Sequence, residues 1–283
     1  MFFKNLDGCI QCRLCAHYCR IKPGAFGICG QRKNTDGRLF TFAYGEAAAA
    51  NIDPVEKKPL YHFLPKTMTF SIAAYGCNFK CMFCQNWQIS QQTARYPKAP
   101  ASLAPYEIVK AAKESACASI SYTYTEPTVF FEYSYETAKL AKQEGLYNIY
   151  VTNGYMSKEA LDTISPYLDA ANIDLKSFNE NFYRNLCGAS LKPVLDTIER
   201  MKAKGIWIEI TTLLIPGKND SYDELRDMAS FLAGIDKNMP WHISRFHPDY
   251  KMLDDVITPV EIMEEARLIG AGQGLKNIYL GNV

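Results

Sequence analysis

From about Pro105 onward, the sequence alternates short β-like runs with longer helical patterns. This alternation is typical of parallel βα units, because strands that run in parallel need a crossover connection between them. With one earlier run included, the predicted strands are Thr69–Tyr75, Ser119–Tyr124, Asn148–Thr152, Ala170–Leu175, Ile206–Leu213, Trp241–Arg245 and Asn277–Leu280. The predicted helices are Pro105–Ala116, Thr128–Glu144, Ser157–Tyr167, Leu191–Lys204, Ser221–Gly234 and Pro259–Gly272.

Strands and helices in this order predict an α/β fold. With right-handed crossovers, such a chain forms either a partial or complete (β/α) barrel of the TIM type or an open doubly wound sheet. Both architectures bind ligands at the carboxyl ends of the strands. We assign the barrel to residues 69–283. Residues 1–68 break the alternation and are rich in Cys, Gly and charged turns, so they predict a small cysteine-rich metal-binding appendage. Residues 86–104 show neither helical nor strand periodicity, so we predict that they form a long loop over the barrel mouth.

Charge and hydropathy limit the partners. The chain of 283 residues carries 31 Lys+Arg and 30 Asp+Glu, so its net formal charge is +1. A balanced chain without runs of like charge gives no electrostatic reason to expect a nucleic-acid or membrane partner. No apolar stretch reaches the roughly 18 residues that span a bilayer, and the first residues do not resemble a signal peptide. We therefore expect a cytoplasmic protein.

The cysteines are distributed unevenly. Of ten cysteines, all but Cys117 and Cys187 fall within the first 84 residues, and we assign no role to those two. In a reducing compartment, thiols at spacings of two and three residues indicate metal ligands rather than disulfides. The clustered cysteines are Cys9, Cys12, Cys15, Cys19, Cys29, Cys77, Cys81 and Cys84.

Three of these cysteines form a compact motif directly after the first predicted strand. Cys77, Cys81 and Cys84 have the spacing CxxxCxxC. Three thiolates on one loop can hold three irons of a cubane cluster and leave the fourth iron open to a small molecule. The alternatives are a zinc knuckle completed by another residue, or three unrelated core cysteines. Phe83 before the last cysteine and the strand-then-loop context favour the cluster.

This motif resembles that of the radical S-adenosylmethionine (SAM) superfamily. The resemblance implies a [4Fe–4S] cluster on Cys77, Cys81 and Cys84, with SAM bound to the fourth iron through its amino and carboxylate groups. Reductive cleavage of SAM would then give methionine and a 5′-deoxyadenosyl radical that abstracts hydrogen. The protein's part in such chemistry is to orient the cofactor and to exclude competing reactions.

The ends of the second and third predicted strands carry candidate SAM-binding residues. By position, Glu126 matches the acidic end of the superfamily's Gly-Gly-Glu segment, which implies a hydrogen bond to the SAM amino group, although the two glycines are missing here. The alternative is a glutamate placed favourably at a helix start. Thr152 and Asn153 end the third strand, where Asn153 with the following glycine is also an ordinary turn signal.

The later strands supply the remaining candidates. Asp174 and Lys176 point to the same side of the fourth strand. This DxK pattern resembles that of glycyl-radical-enzyme activases, in which the two residues lie beside SAM. The alternative is a structural ion pair. The resemblance places Thr211, on the fifth strand, on the wall that faces the adenosine. His242 is a weaker candidate for an adenosine or substrate contact, because a single strand histidine is more often a core residue.

The amino-terminal cysteines allow two ligand sets. Cys9, Cys12, Cys15 and Cys19 have the C-x2-C-x2-C-x3-C spacing of a bacterial ferredoxin half, without the proline that follows it there. Cys12, Cys15, Cys19 and Cys29 form the second set, with a Gly-rich return before Cys29. The second set suits a structural zinc site as well as a second iron–sulfur cluster. The sequence does not decide between zinc and an iron–sulfur cluster at this site.

A longer resemblance covers most of the chain and is carried by several segments. It is to the AmmeMemoRadiSam-system radical SAM enzymes, relatives of the pyruvate formate-lyase activating enzymes, and it implies Memo-like and AMMECR-like partner proteins. The chain departs from this family in two places. Cys9 is extra to the family's usual cysteine pattern. The chain ends at Val283, where relatives commonly continue into a cysteine-bearing tail, so we expect a truncated chain or a missing auxiliary element. The segments are CRLC, GICGQR, DPVEKKPLYHF, GCN, CQNW, TYTEPT and PWHISRFHPDY.

These patterns predict a radical SAM oxidoreductase that acts on a protein or peptide, possible targets being a glycyl-radical enzyme or a partner protein. Such an enzyme needs an external electron donor. One alternative is a radical SAM enzyme that acts on a small molecule. The other is an iron–sulfur redox or scaffold protein that does not bind SAM.

Overall fold

The computed structural model describes residues 1–94 and 101–283. The first part of the chain forms two small antiparallel sheets. The first contains β1 (Phe3–Leu6), β2 (Cys9–Cys12) and β3 (Arg20–Ile21), and the second is a hairpin of β4 (Arg32–Thr35) and β5 (Arg38–Thr41). Together they bring the cysteine-rich segment into a few short turns.

One nine-stranded sheet dominates the fold. Seven of its strands run in parallel, β6 pairs antiparallel with β7, and the short β8 pairs antiparallel with β6. The spatial order is β14-β13-β12-β11-β10-β9-β7-β6-β8. The strands are β6 (Glu46–Pro54), β7 (Met68–Ala74), β8 (Ala101–Ser102), β9 (Ser119–Tyr122), β10 (Tyr147–Thr152), β11 (Ala170–Asp174), β12 (Trp207–Leu214), β13 (Trp241–Arg245) and β14 (Ile278–Gly281).

Helices connect the parallel strands, as parallel pairing requires. Ser157 and Ser221 cap two of them, each through a hydroxyl that accepts a backbone N–H of the first turn. The helices are α1 (Trp87–Ser90), α2 (Pro105–Glu114), α3 (Phe131–Gln143), α4 (Lys158–Ile164), α5 (Glu180–Phe182), α6 (Lys192–Ala203), α7 (Tyr222–Ile235) and α8 (Val260–Gly272), with a 3₁₀ turn at Val55–Lys57 and a π-helical turn at Tyr183–Cys187. Among the described residues, none of these helices is long and apolar enough to cross a membrane.

The sequence-based prediction of seven parallel strands and six intervening helices is confirmed to within a few residues at each end. Within the described residues, the end strands β8 and β14 do not pair with each other, so the sheet is a partial barrel. Strand β6 lies inside the 1–68 segment yet extends the large sheet along β7. The predicted loop 86–104 contains the short helical turn α1, and its residues 95–100 lie outside the described residues.

The two faces of the sheet differ in polarity. Apolar side chains such as Ile120, Ile173 and Ile210 belong to the main hydrophobic core with helix residues. On the alternate positions, which face the barrel interior, polar side chains are common, and the Thr69 hydroxyl lies 2.7 Å from that of Ser121. The interior is therefore suited to a polar ligand rather than filled by a continuous apolar core.

A buried carboxylate closes the amino-terminal end of the barrel. Glu209 of β12 accepts backbone N–H groups of Tyr61 and His62 at 3.0 and 2.9 Å, and its Oε2 lies 2.7 Å from His242 Nε2. The Trp207 indole donates a further hydrogen bond at 3.1 Å. These contacts fix the segment that follows β6 across the barrel floor.

The pKa of Glu209 yields a prediction. Burial raises this pKa, but the hydrogen bonds from His242, Tyr61, His62 and Trp207 lower it by more, so it lies below the ordinary value of 4.5. A carboxyl whose pKa is lowered by folding stabilises the protein above its unfolded-state pKa, and that contribution is lost as the pH falls through the folded-state value. We expect the unfolding free-energy difference between wild type and Glu209→Gln to shrink as the pH falls below 4.5.

Urea unfolding at a series of pH values measures this difference. The exposed Glu199→Gln variant is the matched control and should show no such change. A difference between wild type and Glu209→Gln that stays constant from neutral pH down to about pH 4 would contradict an ionised Glu209 with a lowered pKa.

The packing of α8 on the sheet yields a second prediction. A Cβ on Gly270 would lie 2.8 Å from Trp241 Cζ3 and 2.8 Å from Ile278 Cδ1. We expect Gly270→Ala to destabilise the protein by about 1–3 kcal/mol through overpacking, although alanine normally favours a helix over glycine. Gly272→Ala in the same helix has open space and should be neutral or stabilising. Thermal unfolding compares the two, and equal stability would refute the close packing.

Candidate active site

The three-cysteine loop follows β7 at the carboxyl end of the parallel sheet. Gly76 starts it with φ +94°, a conformation that glycine adopts easily, and a Cβ there would lie 3.0 Å from the carbonyl oxygen of Cys29. Phe79 and Phe83 inside the loop are buried, at 5.2 Å from the Tyr155 ring and 5.7 Å from the Phe182 ring between centroids. These aromatic anchors fix the backbone between the thiols.

The π-helical turn holds the other side of this loop. Lys80 N donates to the carbonyl of Cys187 at 2.8 Å, and Met82 N donates to that of Leu186 at 2.9 Å. The thiol of Cys187 contacts Cys81, and its hydrogen bond together with burial raises the pKa of Cys81 well above the usual range. Sequence reasoning gave Cys187 no role, because the contact joins residues far apart in the chain.

The thiols fit an iron–sulfur cluster. Thiolates are the normal protein ligands of such clusters, and hydrogen bonds to their sulfurs tune the cluster. Cys77 Sγ accepts the N–H of Phe79 at 3.3 Å, and Cys84 Sγ lies 3.2 Å from the Ser90 hydroxyl. The three predicted ligands therefore lie on one anchored loop, where a backbone N–H is directed at the sulfur of Cys77 and a hydroxyl lies within hydrogen-bond distance of the sulfur of Cys84.

Glu126, Thr152 and Asn153 lie together beside Cys77. Glu126 is 2% exposed and accepts hydrogen bonds from Thr152 Oγ1 and Asn153 N, both at 2.8 Å, and from Thr128. Asn153 Nδ2 in turn donates to Asn78 Oδ1 at 2.8 Å and approaches Cys77 Sγ at 3.8 Å. The carboxylate thus links the ends of β9 and β10 to the cysteine loop.

The charge state of Glu126 reflects two opposing effects. Burial raises its pKa above the usual value, and the hydrogen bonds from Thr128, Asn153 and Thr152 partly offset this rise. Oε2 accepts only the Asn153 N–H among these bonds, which leaves a lone pair for a ligand ammonium group.

Asp174 and Lys176 lie on the Cys81 and Cys84 side of the loop. Lys176 Nζ is 2.9 Å from Asp174 Oδ2 and 5.9 Å from the centroid of the Phe83 ring. Burial lowers the pKa of Lys176, but Asp174 and the thiols of Cys81 and Cys187 raise it further, so the net value is well above the usual range. The ammonium group stays charged beside the loop.

The last two predicted residues differ in position. Thr211 pairs in register with Asp174, and its hydroxyl is buried without a hydrogen-bond partner in the described structure, so it is free to contact a ligand. His242 is not brought to the cysteine loop. Its ring nitrogen contacts Glu209 and its ring packs against Tyr61 and Tyr279, so the predicted adenosine or substrate contact is replaced here by a contact in the barrel floor.

The amino-terminal cysteines form a separate group behind the loop. Of the five, four line one cavity, and the fifth, Cys9, pairs with Leu6 in the first hairpin. The structure therefore brings together the second of the two ligand sets that the sequence allowed. These four are Cys12, Cys15, Cys19 and Cys29.

The family model described as "Radical SAM superfamily" matches residues 71–232, which include the cysteine loop and the strand ends around it. The chain belongs to the radical SAM superfamily. It is accordingly a radical SAM enzyme, and the cofactors of this family are a [4Fe–4S] cluster and SAM. The resemblance seen in the sequence is confirmed at this level.

Similar proteins agree with this assignment. The chain is 44% identical over 288 residues to "Uncharacterized protein MJ0808" of Methanocaldococcus jannaschii, across 100% of this chain and 84% of that protein. It is 33% identical over 180 residues to "Putative glycyl-radical enzyme activating enzyme MJ1632" of the same organism, across 62% and 66%. A domain of pyruvate-formate lyase-activating enzyme from Bacteroides vulgatus shares the fold, with TM-score 0.52 and 20% identity, across 58% of this chain and 99% of that domain.

The lone pair on Glu126 yields a prediction for this radical SAM enzyme. We expect Glu126→Gln to weaken SAM binding about 10- to 100-fold, because hydrogen bonds to charged groups contribute about 1.5–3 kcal/mol. Anaerobic equilibrium binding of SAM to cluster-loaded protein measures the effect. The exposed Glu144→Gln variant is the control and should bind as wild type does. An unchanged affinity in the Glu126→Gln variant would exclude this contact.

Proposed function

We propose that the enzyme abstracts a hydrogen atom from a protein or peptide, in the manner of a glycyl-radical activating enzyme. The observation that carries this proposal is the open sheet: among the described residues, β8 and β14 end the sheet unpaired. An incomplete barrel leaves a side opening through which a polypeptide segment can approach the cysteine loop. The name of the relative MJ1632 supports the same class of substrate.

The residues around the loop have distinct proposed roles. When bound, the cluster and SAM supply a 5′-deoxyadenosyl radical. Cys77, Cys81 and Cys84 hold the cluster, Glu126 accepts the SAM ammonium group, and Lys176 offers its charge to a carboxylate. A carboxylate and an ammonium around one loop suit the zwitterionic methionyl end of SAM. The further residues proposed to contact SAM are Thr152, Asn153, Asp174 and Thr211.

Partners and location form part of the same proposal. The resemblance of the sequence adds Memo-like and AMMECR-like proteins as partners, and the chemistry needs an external one-electron donor. We place the enzyme in the cytoplasm, because thiols that bind iron must stay reduced.

Hydrogen transfer from a deuterated extract tests the substrate class. With SAM and dithionite, the enzyme should incorporate deuterium into 5′-deoxyadenosine when given the macromolecular fraction of deuterated cells that carry the gene, and protease treatment of that fraction should abolish the transfer. Cys81→Ala is the negative control. Deuterium transfer from the small-molecule filtrate instead would assign the enzyme to a small-molecule substrate and overturn the proposal.

A further inference from the structure

Four thiols of the amino-terminal segment face one cavity. The backbone N–H of Cys12 donates to the carbonyl of Cys19 at 2.9 Å and closes the first turn. A Gly-rich return, in which Gly30 N donates to Gly27 O at 2.9 Å, then brings Cys29 to the same place. The cavity lining includes Cys12, Cys15, Cys19 and Cys29.

The thiols share the wall of this cavity, where Cys12 is buried and Cys15, Cys19 and Cys29 are partly buried. Four thiolates around one cavity would repel each other, so they need a positively charged centre between them. Metal ions supply that charge.

Two buried nitrogen donors beside the thiols have no acceptor among the residues that the structure describes. Arg32 is 3% exposed and binds Glu132 through its two terminal nitrogens, yet its Nε is unpaired within the described structure. The side-chain nitrogen of Asn78 is likewise buried and unpaired there. Both residues line the same cavity. Buried donors normally have partners, and the sulfurs of a cluster accept such hydrogen bonds.

The cavity adjoins the catalytic loop. Asn78 follows Cys77 in that loop and also lines the amino-terminal cavity. His17, on the cavity wall, has Nε2 2.8 Å from the backbone carbonyl of Asn78. Gly76 packs so closely on Cys29 that a Cβ would lie 3.0 Å from its carbonyl oxygen. A single layer of residues therefore separates the two sets of thiols.

We propose that Cys12, Cys15, Cys19 and Cys29 bind a second [4Fe–4S] cluster, which passes single electrons to the catalytic cluster. A low-potential one-electron donor reduces this cluster from the 2+ to the 1+ state, and transfer of the electron to the catalytic cluster returns it to 2+. With four cysteine ligands it has no open iron, so it does not bind SAM.

The arrangement of the thiols favours a cluster over a zinc ion. A Zn(Cys)₄ site draws all four sulfurs to about 2.3 Å from one ion. Here Arg32 and Asn78 line the same cavity as the thiols, and the sulfides of a cluster would accept hydrogen bonds from their unpaired nitrogens, whereas a zinc ion offers no such acceptor.

Removal of the catalytic ligands isolates the second site. The triple variant Cys77→Ala/Cys81→Ala/Cys84→Ala, purified without oxygen as the full chain, should retain about four iron atoms and four acid-labile sulfides per chain, against about eight of each in wild type. Its dithionite-reduced EPR signal should not change when SAM is added. Introducing Cys15→Ser and Cys19→Ser into the triple variant should remove the remaining iron. Introducing Cys9→Ser instead should not, because Cys9 lies outside the cavity.

The wild-type enzyme supplies an independent measurement. With both clusters reduced, two paramagnetic centres this close should broaden each other's EPR signals, and the triple variant should give a narrow spectrum. Zinc at the amino-terminal site, or a folded triple variant that binds no iron, would overturn the proposal. Wild-type protein with only about four irons would overturn it as well, while leaving the assignment of radical SAM chemistry and the protein substrate intact.

Discussion

The anchoring of the cysteine loop is the constraint on which the rest of the structure depends. Three thiols spread over eight residues can serve one cluster only if the backbone between them is fixed. Buried Phe79 and Phe83 fix it from within, and the π-helical turn binds it through the backbone N–H groups of Lys80 and Met82. A π-helical turn is rare and is frequently found at functional sites, which agrees with its place here.

Residues beyond the loop act by holding this anchored loop to the strand ends. Glu126 joins the ends of β9 and β10, and Asn153 carries that connection to Asn78 in the loop. Lys176 brings a positive charge to the other side, where Asp174 keeps it ionised. The site is therefore assembled from the carboxyl ends of several strands, as parallel α/β folds generally arrange it.

The sequence predicted the parallel strands and helices well because each has a strong local signal. Helix periods, proline at helix starts and glycine at helix ends mark their limits without tertiary information. Strand β6 was missed, since its pairing with β7 is antiparallel and its run of alanines carries no alternating pattern. His242 was only a weak candidate for an adenosine or substrate contact, and its contact with Glu209 could not be predicted, because the two residues are 33 positions apart in the chain.

The sequence by itself determined the chemistry, because the CxxxCxxC spacing, the strand before it and the polar strand ends are local in the chain. Only the tertiary structure decided which of the amino-terminal cysteines line one cavity and that this cavity adjoins the catalytic loop. It also decided that Cys187 contacts Cys81 and that, among the described residues, the two end strands of the sheet do not pair with each other. Those outcomes depend on contacts between distant residues, whose packing and hydrogen bonds no short segment encodes.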